Sequence, residues 1–405
     1  MDKSRIEARG RDQIIGRRSF LLGGGAGLAA LVAGCSNFSF GPNNVTTRNI
    51  GQQAPALDQI AGTGSVKVAL ILPLTGDIGT VGTSMANGAQ LAMEYIQSSA
   101  QIADNISLLV KDSQGDAAMA ARQATAAVTE GASLILGPLK ADSVRAAGSV
   151  ARSAGIPLIG FSNNSGAASP GVYLLNVLPE TEVRRSLAYA QAQGRRAFAA
   201  VIPTTDFGRI QEGAFRQAVT DLGLVARAIY TFANETEARV AMAQVAEQLK
   251  TGSIDALFLP DRVTAPSFGV LLEEAAIDRS RVTIMGSADW DGDIKIASTA
   301  FLTGAVYPAV DDAGQLALRP DYVARFGSEP HAFASIAYTA VLLANSSALS
   351  MATPKYPVDQ LTRASGFNGR DGLFRFLPDG RSEYALVMKQ VVVGGAQKVD
   401  TAKLP

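Results

Sequence analysis

The chain has 405 residues, 47% of them hydrophobic and 18% charged, so it is long enough for two domains and apolar enough to fold. Lysine plus arginine equals aspartate plus glutamate at 36 each, and the body of the chain has no basic run, which argues against a nucleic-acid partner. A single cysteine, Cys35, and a single histidine, His331, exclude a disulfide within the chain and a zinc site of cysteines and histidines.

The N-terminal segment, residues 1–35, has the pattern of a targeting signal. Arg17 and Arg18 precede an apolar stretch, residues 20–34, that is shorter than the roughly 20 residues a membrane-spanning helix needs. The stretch ends in Leu-Val-Ala-Gly before Cys35 and resembles a bacterial lipoprotein signal, in which lipid on that cysteine anchors the protein. The alternative is a chance or buried cysteine. The paired arginines also resemble a twin-arginine export signal, and Sec export remains open.

Residues 36–65 are rich in Asn, Gly, Gln, Ser and Thr without hydrophobic periodicity, which predicts a flexible tether after the anchor. Ser36 stands where lipoproteins retained at the inner membrane commonly have aspartate. The resemblance therefore implies a lipid-anchored periplasmic protein, with the outer membrane favoured over the inner.

Apolar runs alternate with amphipathic segments from Val66 onward. The run that ends at Pro73 predicts a buried strand of a parallel sheet, and residues 84–97 predict an amphipathic helix after it. Further strands are predicted at residues 106–110, 133–136, 156–160, 197–202, 225–232, 256–259 and 282–285. Short loops between strands and helices imply right-handed crossovers with helices on both faces. We predict an α/β protein with two doubly wound parallel-sheet lobes joined by a hinge.

The predicted lobes are each built from two stretches of chain. Lobe 1 comprises residues 66–179 and 308–352, and lobe 2 comprises residues 180–307 and 353–405. In this scheme residues 302–310 return to lobe 1, while strands at 372–376 and 385–393 close lobe 2. Prolines mark three expected hinges, near Leu178-Pro179, near Val306-Tyr307-Pro308 and near Ala352-Thr353-Pro354.

Eight segments in a fixed order carry a resemblance to a known family. They are VALILPLTG, LLVKDSQGD, LILGPLKADSV, GIPLIGFSNN, VIPTTDFGR, the segment from Tyr322 to His331, ASIAYTAVLLA and FNGRDGLFRFLPDGR. The order is similar to that of type I periplasmic binding proteins of the Leu/Ile/Val-binding family, over about residues 66–399. Within that family, residues 137–163 followed by VYLLNVLPE look most like the bacterial lipoproteins called penicillin-binding protein activators.

The resemblance implies a ligand cleft between the lobes. Ala141 and Asn163 stand at the positions where the family's serine and threonine hold a ligand carboxylate, Phe207 at the stacking aromatic, and Asp289 at the acid that receives an ammonium group. Backbone N–H groups at helix starts after Thr80 and after Lys140 could hold an anion in any case. The candidate ligand-binding residues are Leu74, Thr75, Lys140, Ala141, Ser162, Asn163, Asn164, Phe207 and Asp289.

Several of these residues have ordinary alternatives. Phe207 is equally consistent with a core position, and Lys140 with a solvated loop. Trp290 is a second candidate for an apolar wall of the cleft. The segment DWDGD, residues 289–293, lacks the later glutamate of a calcium-binding EF-hand loop and is interpreted as a helix-start turn. His331 is interpreted as a surface or helix-start residue.

Three functions follow, of which the first is favoured. It is a non-catalytic envelope lipoprotein that activates a penicillin-binding protein and so regulates peptidoglycan synthesis. The alternative is the solute-binding component of an ABC importer for branched-chain or other amino acids, with a permease as partner. The third, an enzyme, lacks a nucleophile motif, metal cluster or phosphate-binding loop in the sequence, and we expect no cofactor and no metal. The altered positions Ala141 and Asn163 favour the regulator over the importer.

Overall fold

The computed structural model describes residues 62–404. The predicted signal with Cys35 and most of the predicted tether lie outside these residues. The last residues assigned to the tether already contact the first sheet, because Gly64 N donates to Ile106 O at 3.1 Å and Thr63 Oγ1 donates to Asp104 Oδ2 at 2.7 Å. Within the described range, no helix has the length and hydropathy needed to cross a membrane.

Lobe 1 is built on a five-stranded parallel sheet in the order β2-β1-β3-β4-β5. The strands are β1 Val66–Leu72, β2 Ile106–Asp112, β3 Leu134–Leu136, β4 Leu158–Gly160 and β5 Val172–Leu174. The helices between them are α1 Gly79–Ser98, α2 Ala117–Thr129 and α3 Ala141–Ser153. Val68 and Leu70 of β1 face the core that contains α1, whereas Ala69 and Ile71 face the core formed by α2 and α3. Burial on both faces explains the continuous apolar run of β1.

Lobe 2 is built on a seven-stranded sheet in the order β15-β14-β10-β9-β8-β6-β7. Its strands are β6 Ala197–Pro203, β7 Val225–Phe232, β8 Ala256–Phe258, β9 Thr283–Met285, β10 Val306–Ala309, β14 Leu386–Val392 and β15 Gly395–Lys403. Its helices are α4 Pro179–Ala192, α5 Asp206–Asp221, α6 Glu235–Lys250, α7 Ala265–Glu274 and α8 Ile294–Ser298. Strands β6 to β10 are parallel, and β14 and β15 add an antiparallel edge.

A third group of elements packs on lobe 1. It consists of α9 Ala313–Phe326, α10 Phe333–Asn345, α11 Ser347–Ser350, α12 Val358–Leu361 and the antiparallel strands β11 Phe367–Gly369, β12 Gly372–Phe376 and β13 Ser382–Tyr384. Phe374 and Phe376 of β12 share one core with α1 and α10. The type I architecture of two α/β lobes is therefore confirmed.

Two predictions of lobe membership are wrong. Strand β10 pairs with β9 and β14, so residues 302–310 stay in lobe 2. Strand β12 belongs to the small sheet on lobe 1 and does not close lobe 2. The physical reason is that an apolar pattern reports burial but not the identity of the sheet that buries it.

The chain crosses between lobes at three places. The first crossing lies between β5 and α4, at residues 175–178, close to the predicted hinge near Pro179. The second follows β10, at residues 310–312, because residues 306–308 are inside the strand. The third is at Ala385, between β13 and β14. The prediction near Ala352-Thr353-Pro354 is wrong, since Tyr356 beside it is buried in the core of lobe 1.

Candidate functional site

The three crossings surround a cavity of about 90 Å³. Its walls include residues at or just after the carboxyl ends of β5, β9 and β10 and residues on either side of the third crossing. These are Asn176, Val177, Ala288, Asp291, Ala309, Val310, Tyr384 and Leu386. Strand ends of both lobes therefore meet at one cavity, the position at which open α/β sheets bind ligands.

The wall of this cavity carries two buried carboxyl groups that the sequence did not reveal. Glu182, in the first turn of α4, is 6% exposed, and its Oε2 accepts from Ala288 N at 3.4 Å. Burial, together with the negative charges of Asp289 and Glu180, raises the pKa of Glu182 to about 8. At neutral pH the group is therefore mostly protonated and can donate a hydrogen bond.

Asp371 is the second of these carboxyl groups. It is 8% exposed, and its Oδ1 accepts from Ser335 Oγ at 2.7 Å. Burial raises the pKa of Asp371 to about 6, although the Ser335 hydrogen bond opposes the shift. The cavity thus combines apolar walls with two acids of raised pKa, of which only Glu182 is mostly protonated at neutral pH.

On the lobe 1 side, Asp112 organises the first loop. Thr75 Oγ1 donates to Asp112 Oδ2 at 2.6 Å, and Leu74 N donates to Oδ1 at 2.9 Å. Burial opposes ionisation of Asp112, but the hydrogen bonds from Thr75, Gln114 and Leu74 hold its pKa below the usual range. The loop after β1 is also tied to the loop after β3, because Lys140 Nζ lies 2.9 Å from Asp77 Oδ2.

The loop after β4 uses most of its polar groups in a local turn. Ser162 Oγ accepts from Asn164 N at 3.1 Å, and Asn164 Oδ1 accepts from Gly166 N at 3.0 Å. Asn163 is half-buried. The structure therefore brings Ser162 and Asn164 together and uses both of them to shape the loop.

Two long helices of lobe 1 begin at this edge without a side-chain cap. Helix α1 follows Ile78, and helix α3 begins at Ala141 after Lys140. In α1 the N–H groups of Gly79 and Val81 already donate to the carbonyl oxygens of Gly76 and Ile78. The start of α3 is therefore better suited to an anion, which the helix dipole favours by roughly 0.3–1 kcal/mol, although Asp142 lies in the same first turn.

On the lobe 2 side, the two predicted residues lie in different loops. Phe207 is half-buried in the first turn of α5, after β6. Asp289 follows β9, and its Oδ2 lies 3.4 Å from Nε of Arg262, with both side chains 19% exposed. Burial raises the pKa of Asp289 to about 6 although Arg262 lowers it. Asp289 therefore has a cationic partner within the chain, which the sequence analysis did not anticipate.

The structure settles three of the alternatives. Trp290 is 1% exposed and belongs to the core of lobe 2, so its assignment to a cleft wall is wrong. Asp293 Oδ1 accepts from Lys295 N at 2.8 Å and from Ile296 N at 3.0 Å, which makes this segment a helix start as predicted. His331 lies just before α10, where its Nδ1 accepts from Phe333 N at 3.2 Å and burial lowers its pKa.

Glu182, Asp371 and Arg262 were missed because their sequence context is ordinary. Glu182 follows Pro179 in the first helical turn, where exposed acids are common. Glu182 is buried only because the loop after β9 and the three crossings approach it. Among the described residues, no group of three or more His, Cys, Asp or Glu side chains could hold a metal ion.

Comparisons with known proteins agree with this architecture. The model of the periplasmic binding protein family matches residues 65–395. A search of curated proteins finds no match. A putative branched-chain amino acid ABC transporter from Rhodospirillum rubrum is 22% identical, with a TM-score of 0.71, and the match covers 82% of this chain and 99% of that one.

Two further solved structures were determined with ligands. The branched-chain amino acid transporter substrate-binding protein LivJ from Streptococcus pneumoniae, in complex with isoleucine, is 20% identical with a TM-score of 0.53, covering 84% of this chain and 99% of that one. A solute-binding protein of an ABC transporter from R. palustris, in complex with benzoate, is 18% identical with a TM-score of 0.54, covering 84% and 98%. At these identities the structures support the fold, and the family model spans most of the chain. The chain belongs to the periplasmic binding protein family and has its type I fold.

Proposed function

We propose that the protein is the solute-binding component of an ABC importer and that its solute is a small organic acid. The observation that carries the proposal is that strand ends of both lobes meet at the three crossings. The cavity there, about 90 Å³, is smaller than the roughly 300–1,000 Å³ typical of small-molecule sites, so we infer that the lobes open further to admit the solute. A ligand held there contacts both lobes, so its binding is coupled to the angle between them. This proposal reverses the order favoured by the sequence, in which a penicillin-binding protein activator came first. The compared structures carry transporter descriptions, which favour the importer.

The chemistry of the ligand follows from groups at the edge of the cleft. The solved relatives are described with leucine, isoleucine, benzoate or 3,4-dihydroxybenzoic acid, all of which carry a carboxylate. In this chain, the start of α3 and the guanidinium of Arg262 are candidate donors to that group. They follow β3 and β8 outside the lining of the cavity, and Arg262 is shared with Asp289. Ala141 supplies no hydroxyl, so the backbone N–H groups carry more of the binding than in the family pattern.

Calorimetric titration of purified residues 36–405 with leucine, isoleucine, benzoate and 3,4-dihydroxybenzoate tests the proposal. We expect at least one of the four to bind, and the Arg262→Gln variant to weaken that binding by about tenfold, since a hydrogen bond to a charged group contributes about 1.5–3 kcal/mol. The control is Arg239→Gln, which removes an exposed arginine of α6. Absence of binding, together with recovery of a bifunctional penicillin-binding protein from envelope extract, would restore the regulator.

The proposal includes a periplasmic location and a lipid anchor on Cys35. We expect Cys35→Ser to leave the protein unprocessed or soluble, because one sulfur atom carries the anchor. Mass spectrometry of the mature protein and membrane fractionation check this expectation. An unchanged mass and unchanged membrane association in the variant would contradict it.

A further inference from the structure

A second concave surface lies on lobe 1 and shares no lining residue with the cavity at the crossings. Its volume is about 480 Å³, within the roughly 300–1,000 Å³ typical of small-molecule sites. We call it the arginine groove and define it by Tyr95, Tyr338, Arg363, Phe367, Arg370 and Phe374. It is formed where the end of α1, the middle of α10 and the strands β11 and β12 meet.

Aromatic rings hold both guanidinium groups of the groove in place. The guanidinium carbon of Arg363 lies 4.1 Å from the ring centroid of Phe367, and its Nε donates to Gly366 O at 2.9 Å. The guanidinium carbon of Arg370 lies 4.8 Å from the ring centroid of Tyr338, and its Nη2 donates to Tyr338 Oη at 3.2 Å. Each guanidinium has five N–H donors, so these contacts fix its position and leave most donors for a ligand.

The charges of the groove are not compensated by the described part of the chain. Two other arginines in the elements packed on lobe 1 are ion-paired, since Arg375 Nη2 lies 2.5 Å from Glu383 and Arg325 Nε lies 3.2 Å from Glu94. Within residues 62–404, neither Arg363 nor Arg370 forms an ion pair with a carboxylate. The groove therefore presents two positive charges between apolar walls, which is complementary to an anion with an apolar body.

We propose that the arginine groove is a second ligand site, separate from the cleft, and that it takes a small organic dianion with an aromatic body. Two guanidinium forks match two acidic groups or one doubly charged phosphate, which they can bind in a bidentate manner. The exposed ring of Tyr95 lines the same groove and offers a stacking surface for the body of the ligand, whereas Phe374 is buried in the core of lobe 1. Aryl phosphates and aromatic dicarboxylates have this chemistry.

Titration calorimetry with phenyl phosphate on residues 36–405 tests the proposal. We expect wild type to bind phenyl phosphate, Arg363→Gln and Arg370→Gln each to weaken binding by about tenfold, and the double variant to abolish it. Inorganic phosphate, which lacks the ring, should bind more weakly than phenyl phosphate, and phenol, which lacks the charge, should not bind. The control variant Arg122→Gln removes an exposed arginine of α2 on the same lobe and should bind as wild type does.

Thermal unfolding of each variant shows whether it is folded. Arg363→Lys and Arg370→Lys keep the charge but lose the fork, and they provide folded substitutes if a glutamine variant fails to fold. We expect each lysine variant to bind several-fold more weakly than wild type. The proposal is overturned if wild type does not bind phenyl phosphate, if the folded double variant binds it as tightly as wild type, or if the lysine variants bind it without loss.

Discussion

Glu182 is the residue with the clearest consequence for pH dependence. Its pKa is raised from 4.5 to about 8 in the folded protein because it is buried. Between these values the folded state binds more protons than the unfolded state, so the free energy of unfolding falls as the pH rises. We expect the urea midpoint of wild type to decrease from pH 5 to pH 8.5 and that of Glu182→Gln to decrease much less.

Asp371 contributes with the same sign over a lower range, because burial raises its pKa from 3.8 to about 6. Above pH 6 the remaining decrease in stability should therefore come mainly from Glu182. The matched control is Glu247→Gln, which changes an exposed acid of α6. Parallel pH profiles for wild type and Glu182→Gln would show that Glu182 ionises freely in the folded state.

At the residue scale, the sequence could predict where loops fall but not which side chains pair with each other. Thr75, Ser162 and Asn164 lie at strand ends as predicted, because a buried strand followed by a helix fixes where its loop falls. The ion pair of Asp289 with Arg262 joins loops 27 residues apart in the chain, and no local pattern indicates it. Long-range approach of loops decides which polar groups are paired.

At the scale of elements, the turn between β12 and β13 packs closely against strand β5. Gly380 has a φ of 89°, and a Cβ there would lie 2.2 Å from Val172 O of β5. We expect Gly380→Ala to destabilise the protein by about 2 kcal/mol more than Gly394→Ala, since overpacking adds roughly 1–3 kcal/mol to the backbone strain. Gly394 is a matched control because its φ is 80° and a Cβ there meets nothing within 4 Å. Urea denaturation measures the stability of both variants, and equal losses of stability would contradict a close contact at Gly380.

The elements themselves were predicted well where a pattern was long. The helix expected after β1 is α1, and the eight strands expected up to residue 285 correspond to β1–β4 and β6–β9, whereas the three-residue strand β5 was not predicted. Strand β15 was not predicted, because it lies at the edge of the sheet, where six of its nine residues are exposed and apolar and polar residues alternate little. Pairing with β14, rather than local hydrophobicity, makes these residues a strand.

At the scale of the molecule, the alternation of strands and helices predicted two lobes, but their boundaries required the structure. Lobe 2 is closed by β14, which lies between β10 and β15. Val387 and Val391 of this strand are buried in the core that contains Trp290. Lys389 Nζ also lies 3.0 Å from Asp291 Oδ2, which ties the strand to the loop after β9. Residues 386–403 are therefore part of the fold of a lobe that begins some 200 residues earlier in the chain.

Two truncations test this discontinuity. Removal of residues 385–405 takes away β14 and β15, and we expect it to unfold lobe 2 because β10 loses its partner and the core loses Val387 and Val391. Trp290 is the only tryptophan and is 1% exposed, so its emission reports on lobe 2 alone and should shift to longer wavelength. Removal of residues 395–405 takes away only the edge strand β15 and should leave the emission unchanged. A native emission spectrum in the longer truncation would mean that lobe 2 folds without its C-terminal strands.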